Sequence, residues 1–192
     1  MKTTRMEAFS DGVIAILITI MVLELHAPES AEWSALRPLL PIFLAYALSF
    51  LIVGIYWANH HHLLQLCERV NGGVLWANLH LLFWLSLIPF TTAWMGEHYS
   101  ASAPTALYGL VLLGAGAAYS ILQHALIGAQ GPRSDLANAV GRDLKGKLSV
   151  AGYVVGLPIS FLYPSIAKAI YVATALVWLV PDRRIERHLR NR

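Results

Sequence analysis

Three apolar stretches of the chain each carry polar side chains that could take part in chemistry. Asp11 lies near the start of the first stretch, the second ends in YWANHHHLL (residues 56–64), and the third opens with LWANLHLLFW (residues 75–84). An ionised carboxylate in lipid costs several kcal/mol unless partners or water surround it. His, Asn and Trp carry the N–H donors that a buried carboxylate needs. We therefore expect the three stretches to meet around Asp11.

Polar residues of this kind in a membrane helix could also serve an enzyme or a transporter. A His-rich membrane enzyme with a metal or haem would use His60, His61, His80 and Glu68, but three consecutive histidines on a helix cannot all face one metal. A small proton-coupled transporter would use Asp11 as its titrating group. No nucleophile and no metal-ligand spacing is recognisable. The sequence therefore predicts no catalytic residue, no metal and no cofactor.

The composition indicates a protein that folds in lipid. The 192 residues are 57% hydrophobic and only 13% charged, whereas a soluble domain carries about 25% charged residues. The single cysteine, Cys67, excludes an intramolecular disulfide. With no cleavable leader and no long linker recognisable, residues 1–192 are predicted to form one membrane domain.

Apolar segments long enough to cross the bilayer define the fold class. A span needs roughly 17–25 residues to cross a hydrocarbon core of about 30 Å. We predict an all-α integral membrane protein with six transmembrane helices. Five spans and a re-entrant hairpin are the alternative, because the last two segments are short. The predicted spans are residues 6–25, 38–57, 74–94, 104–127, 148–162 and 165–180.

The basic residues orient these spans. With both termini on one side, that side collects twelve Lys and Arg residues and the other side only two, Arg37 and Lys168. This asymmetry predicts that both termini are cytoplasmic. The loop at residues 128–146 and the tail at residues 182–192 would meet anionic membrane lipids rather than nucleic acid. The twelve are Lys2, Arg5, Arg69, Arg133, Arg142, Lys145, Lys147, Arg183, Arg184, Arg187, Arg190 and Arg192.

A helical projection of the first span separates two faces. At about 100° per residue, Ile16, Thr19 and Leu23 fall within about 60° of one another, and Gly12 lies on the same stripe. Asp11 lies about 140° from Ile16. If Asp11 is buried against the second and third spans, the stripe points toward lipid, a partner subunit or a pore.

The opening of the first span also carries a family resemblance. The pattern Arg-x-x-x-Phe-Ser-Asp in RMEAFSDGVIAILITIMVLEL (residues 5–25) resembles the transmembrane protein 175 family of potassium-permeable channels. The likeness continues through YWANHHHLL and through WANLHLLFWLSLIPFTTAWMGEH (residues 76–98). The second half of the chain matches mainly in hydropathy.

The resemblance implies a homotetramer in which four copies of the first helix line a central pore. No Thr-Val-Gly-Tyr-Gly filter is present. By offset from Asp11, the hydrophobic constriction falls on Ile16, a hydroxyl position on Thr19 and a second apolar ring on Leu23. A hydroxyl that often precedes the constriction in the family is replaced by Ala15, so weak to moderate selectivity is expected.

The resemblance assigns the Phe-Ser-Asp residues to packing between spans rather than to ion contact. It implies a structural network formed by Arg5, Phe9, Ser10, Asp11, Trp57, His60, His61 and Asn78. The expected function is a leak-like cation channel, not an enzyme, that passes potassium and other monovalent cations. A bacterial or archaeal plasma membrane, crossed several times by the chain, is the expected location.

Overall fold

The computed structural model of the chain describes residues 3–67, 69–141 and 143–179. Within these ranges all regular structure is helical, so the predicted all-α class is confirmed. Several residues used in the sequence-based predictions lie outside the described ranges. They are Lys2, Glu68, Arg142 and the tail with its five arginines, together with the last residue of the sixth predicted span, Val180.

The described residues form eight α-helices with short connections. A 3-10 helix, Trp33–Leu39, leads directly into the second α-helix. The helices are α1 (Thr3–Leu23), α2 (Leu40–Gln65), α3 (Gly72–Ser86), α4 (Ile88–Glu97), α5 (Ser102–Gln130), α6 (Asp135–Val140), α7 (Leu144–Leu162) and α8 (Pro164–Leu179).

The third predicted span is divided into two helices. α3 and α4 are separated by Leu87 alone, and Pro89 occupies the first turn of α4. Proline has no N–H to donate and its ring clashes with the preceding turn, so a continuous helix cannot pass through this position without a break. A similar one-residue junction joins α7 to α8, where Tyr163 precedes Pro164.

Four helical segments of the described chain are long and apolar enough to cross a membrane. They are Thr3–Leu23, Trp33–Gln65, Gly72–Glu97 and Ser102–Gln130; α8 is a shorter apolar helix. The chain is therefore a multi-pass membrane protein.

α5 lies at the centre of the bundle, in contact with α3, α4, α7 and α8. Two glycines make this close packing possible. The ring of Tyr171 in α8 lies against Gly109 of α5 and Gly156 of α7, and a Cβ atom added at either glycine would overlap that ring. Small residues let helices approach closely in lipid, where there is little hydrophobic force to press them together.

Hydroxyl groups connect α2, α4 and α5 inside the bundle. Ser49 Oγ lies 2.6 Å from Thr92 Oγ1 and 2.9 Å from Tyr108 Oη, and all three residues are buried. Polar groups away from water need such partners. These bonds fix α2 against the central helix and leave α1 on the outside of the single chain.

Candidate functional site

α1 has one face that packs against the rest of the chain. Buried residues recur along it at spacings of four and three, which is the period of a single helical stripe. This stripe contacts α2, α3 and α4. Its members are Met6, Ser10, Ile14, Leu17 and Met21.

The opposite face of α1 is uncovered in the single chain. Ile16 is 58% exposed and Leu23 is 71% exposed, and Gly12 and Thr19 are exposed beside them. The Thr19 hydroxyl donates to the carbonyl oxygen of Ile16 at 2.9 Å. Because the hydroxyl hydrogen is engaged in this bond, the Thr19 oxygen can interact with a ligand only through its lone pairs. Such an oxygen suits a cation.

A directional chain of hydrogen bonds joins α1, α2 and α3 in the interior. Asn78 Nδ2 donates to Ser10 Oγ at 2.9 Å, and Ser10 Oγ donates to the Met6 carbonyl at 2.8 Å. The Asn78 amide oxygen then accepts from His60 Nε2 at 2.8 Å. These polar side chains are almost completely buried. Because each one donates to the next, the chain of bonds fixes the position of α1 against both neighbours.

Asp11 receives its hydrogen bond from α2. Trp57 Nε1 donates to Asp11 Oδ1 at 3.1 Å. We expected donors from both the second and the third span to hold this carboxylate, and for the third span that expectation is wrong. The α3 donor, Asn78, binds the hydroxyl of the preceding residue, Ser10, because that hydroxyl lies on the buried stripe and Asp11 lies at its edge.

A second carboxylate of α1, which the sequence analysis missed, also binds α2. Glu7 Oε1 lies 2.9 Å from His61 Nδ1. The other ring nitrogen of His61 lies 2.8 Å from Gln65 Nε2, and the ring stacks on Trp57 with centroids 6.2 Å apart. The available signal was spacing: Glu7 and Asp11 are four residues apart, as are Trp57 and His61, so both pairs align along two adjacent helices.

Arg5 and Phe9 lie apart from this network. Both are exposed, Phe9 by 54%, and among the described residues Arg5 makes no hydrogen bond with the network. At about 100° per residue both fall within about 20° of Ile16 on the helix. The structure therefore places them on the uncovered face of α1, whereas Ser10, Asp11, Trp57, His60, His61 and Asn78 come together on the packed face.

The remaining candidate ligands do not form a metal cluster. Within the described ranges, no group of three or more His, Cys, Asp or Glu residues could hold a metal ion. His80 accepts from Trp84 Nε1 of its own helix at 3.0 Å. Cys67 follows α2, and burial raises the pKa of its thiol to about 11, which makes it a poor thiolate ligand at neutral pH.

The sequence is similar to one family model and to several known proteins. The family model described as endosomal/lysosomal potassium channel TMEM175 matches residues 5–89. A protein named potassium channel from Chryseobacterium sp. (strain P1-3) is 53% identical over 191 residues, which is 100% of both chains. A protein of the same name from Streptomyces collinus is 30% identical over 188 residues, covering 92% of this chain and 91% of the other.

A solved structure shares the fold. The crystal structure of a lysosomal potassium-selective channel TMEM175 homolog from Chamaesiphon minutus superposes with a TM-score of 0.83 at 27% sequence identity. The match covers 94% of this chain and 97% of that chain. The likeness therefore includes the second half of the bundle, beyond the residues matched by the family model.

Proposed function

The chain belongs to the TMEM175 channel family, and on that premise we propose that it forms a potassium-permeable cation channel. The observation that carries this proposal is the uncovered stripe of Ile16, Thr19 and Leu23 on α1. The opposite face of the same helix is fixed to α3 by the buried Asn78–Ser10 hydrogen bond and to α2 by the more exposed Trp57–Asp11 bond. Such a helix presents the stripe to whatever lies outside the single chain.

We propose that four copies of the chain assemble with α1 around a central pore. Each subunit would cross the membrane six times, through α1, α2, the α3–α4 pair, α5, α7 and α8. Both termini would be cytoplasmic, as the distribution of Lys and Arg favours. Four α1 helices around one axis would cover the apolar face that each leaves open, and membrane lipids would surround the other helices.

Conduction would depend on two kinds of side chain along the stripe. Rings of Ile16 and of Leu23 would form apolar constrictions, which close a pore by excluding water and open it with a small dilation. Between them, Thr19 oxygens would replace part of the hydration shell of the ion. No charged residue lies between Gly12 and Leu23 of α1, which supports a leak-like conductance with weak to moderate preference for potassium.

The polar network would act as a positioning device rather than as a contact for the ion. Ser10, His60 and Asn78 are almost completely buried on the side of α1 away from the stripe. Their bonds set the rotation of α1 about its own axis, and this rotation decides which side chains face the pore. No step of this function requires an enzyme activity or a cofactor, and the plasma membrane of a prokaryote is the proposed location.

Potassium flux into liposomes tests the proposal. Ile16→Asn would place a polar ring at the constriction and should raise flux about tenfold or more, because removal of an apolar barrier of about 1.4 kcal/mol changes a rate tenfold. Val155→Asn is the matched control, since Val155 is 52% exposed on α7 and lies outside the proposed pore. Equal flux in the two variants would contradict the pore assignment. Mass measurement in detergent tests the tetramer independently.

A further inference from the structure

A groove on the side of the bundle, away from α1, contains a buried cation. Residues of α2, α4 and α8 and the segment after α4 line an open groove with a volume of about 360 Å³, within the range of about 300–1,000 Å³ that is typical of ligand sites. Its walls are apolar except for Lys168 and Tyr99, and neither Asp nor Glu lines it. Lys168 is only 6% exposed.

The ammonium group of Lys168 is incompletely satisfied by the described residues. Its Nζ donates to the carbonyl oxygen of Tyr99 and lies 3.1 Å from the centroid of the Tyr99 ring. An ammonium group has three N–H donors, and no carboxylate of the described chain pairs with it. A buried charge without a counter-charge is costly. An anion supplied from outside the chain would therefore be favourable here.

The position of this charge fits the headgroup region of a bilayer. Lys168 lies about one turn from the start of α8, and Tyr99 lies two residues beyond the end of α4. The start of α8 and the end of α4 lie on the same side of the bundle, where Ser102 Oγ also donates to the Phe161 carbonyl. From this charged end the groove continues along apolar side chains of α2 and α8, namely Leu44, Leu48, Leu51 and Val172.

We propose that this groove binds one anionic phospholipid of the surrounding bilayer. The phosphate would accept hydrogen bonds from Lys168 Nζ, and an acyl chain would lie along the leucine side chains of α2. Charge complementarity favours this occupant over a zwitterionic lipid. Charge complementarity also favours an anionic phospholipid over a second copy of the chain, because the apolar walls alone would be enough to bind a second copy. The proposal does not require conduction, so it stands or fails independently of the pore.

Native mass spectrometry of the full chain in neutral detergent tests the headgroup. Phosphatidylglycerol and phosphatidylcholine with identical acyl chains are the two probes. Wild type should retain phosphatidylglycerol about fivefold better, the factor expected for one basic group near an anionic lipid. Lys168→Gln should abolish this preference, and Lys168→Arg should keep it. Arg37→Gln is the control, because Arg37 is the other basic residue predicted on that side and is exposed.

A second pair of variants tests the acyl-chain position. Ala47 lines the groove and is exposed, and Ala173 is an exposed residue of α8 that does not line it. Ala47→Phe should fill the groove and reduce retention of phosphatidylglycerol, while Ala173→Phe should leave it unchanged. This pair remains informative if Lys168→Gln does not fold.

Three results would overturn the proposal. The first is equal retention of the two lipids by wild type, and the second is unchanged preference in Lys168→Gln. The third is a change in oligomeric mass caused by Ala47→Phe and not by Ala173→Phe, since this would show that a second copy of the chain covers the groove.

Discussion

α1 and α5 are both long apolar helices, yet the fold uses them in opposite ways. α5 contacts α3, α4, α6, α7 and α8, and twelve of its residues are buried. α1 buries a single stripe of five residues and leaves its opposite face open. The difference shows that length and apolar character do not distinguish a central helix from one that faces outward.

The physical reason is the solvent. Lipid covers an apolar side chain about as well as another helix does, so burial in a membrane protein depends on close packing and on polar bonds. α5 packs closely, with Gly109 against Tyr171 and Gly114 against Trp84. α1 instead depends on hydrogen bonds at its buried stripe. The two helices should therefore respond to different kinds of mutation.

The largest effect is expected where α5 packs most closely. Leu in place of Gly109 would overlap the Tyr171 hydroxyl, and overpacking of this kind costs about 1–3 kcal/mol or more. We expect a marked fall in melting temperature and in the yield of folded protein in detergent. Gly128→Leu on the same helix is the control, because nothing lies within 4 Å of a Cβ added there. Similar melting of the two variants would contradict the described packing of α5.

The next largest effect is expected at the anchor of α1. Asn78→Leu removes the donor to Ser10 and leaves the buried His60 Nε2 without its partner, at a cost of about 1–3 kcal/mol. Thermal unfolding should show this loss. Asn59→Leu serves as the control, since among the described residues the Asn59 amide donates to the Ile55 carbonyl of its own helix. An equally large loss of stability in the control would mean that the α1–α3 hydrogen bond contributes little to stability.

A smaller effect on stability, expected on one face only, should separate the two faces of α1. Met21 is 1% exposed and Leu23 is 71% exposed, two residues apart. In lipid the hydrophobic transfer contribution is absent, so Met21→Ala should cost only the cavity contribution, on the order of 1–2 kcal/mol. Leu23→Ala should leave the melting temperature of the isolated subunit unchanged. Equal losses would show that the uncovered face is packed.

The smallest effect on stability is expected at Thr19. Thr19→Val keeps the shape of the side chain and removes its oxygen, so the melting temperature should not change. The ratio of potassium to sodium flux should fall about threefold, the size expected for a net polar interaction of about 0.5–1.5 kcal/mol. Thr4→Val, at the exposed start of α1, is the control. An unchanged ratio would exclude Thr19 as a determinant of selectivity.

The family and the all-helical membrane fold were predictable from the sequence, and the comparisons confirm both. Contact between the start of α1 and the end of α2 was also predictable, because a carboxylate in lipid needs a donor. The individual hydrogen bonds were not predictable from the sequence. Ser10 and Asp11 are neighbours, so the sequence does not decide which of them Asn78 reaches. Only the rotation of α1 in the packed structure does so.

The division between α3 and α4 shows a different limit. The proline signal, Pro89, is visible in the sequence, but hydropathy continues across it and predicts one span. The roles of Ile16, Thr19 and Leu23 stay predictions, because they concern contacts between copies of the chain. A single chain shows only that these side chains are uncovered.

The connections between helices have a mechanical consequence for α1. One residue joins α3 to α4 and one joins α7 to α8, so the adjoining ends of each pair must move together. Nine residues separate α1 from the 3-10 helix, a length that can reach about 30 Å when extended. The connecting chain is therefore long enough to allow α1 to turn and to shift by a few ångströms. The resistance to such a movement resides in the side-chain bonds of Glu7, Ser10 and Asp11 and in the packing of the buried stripe of α1.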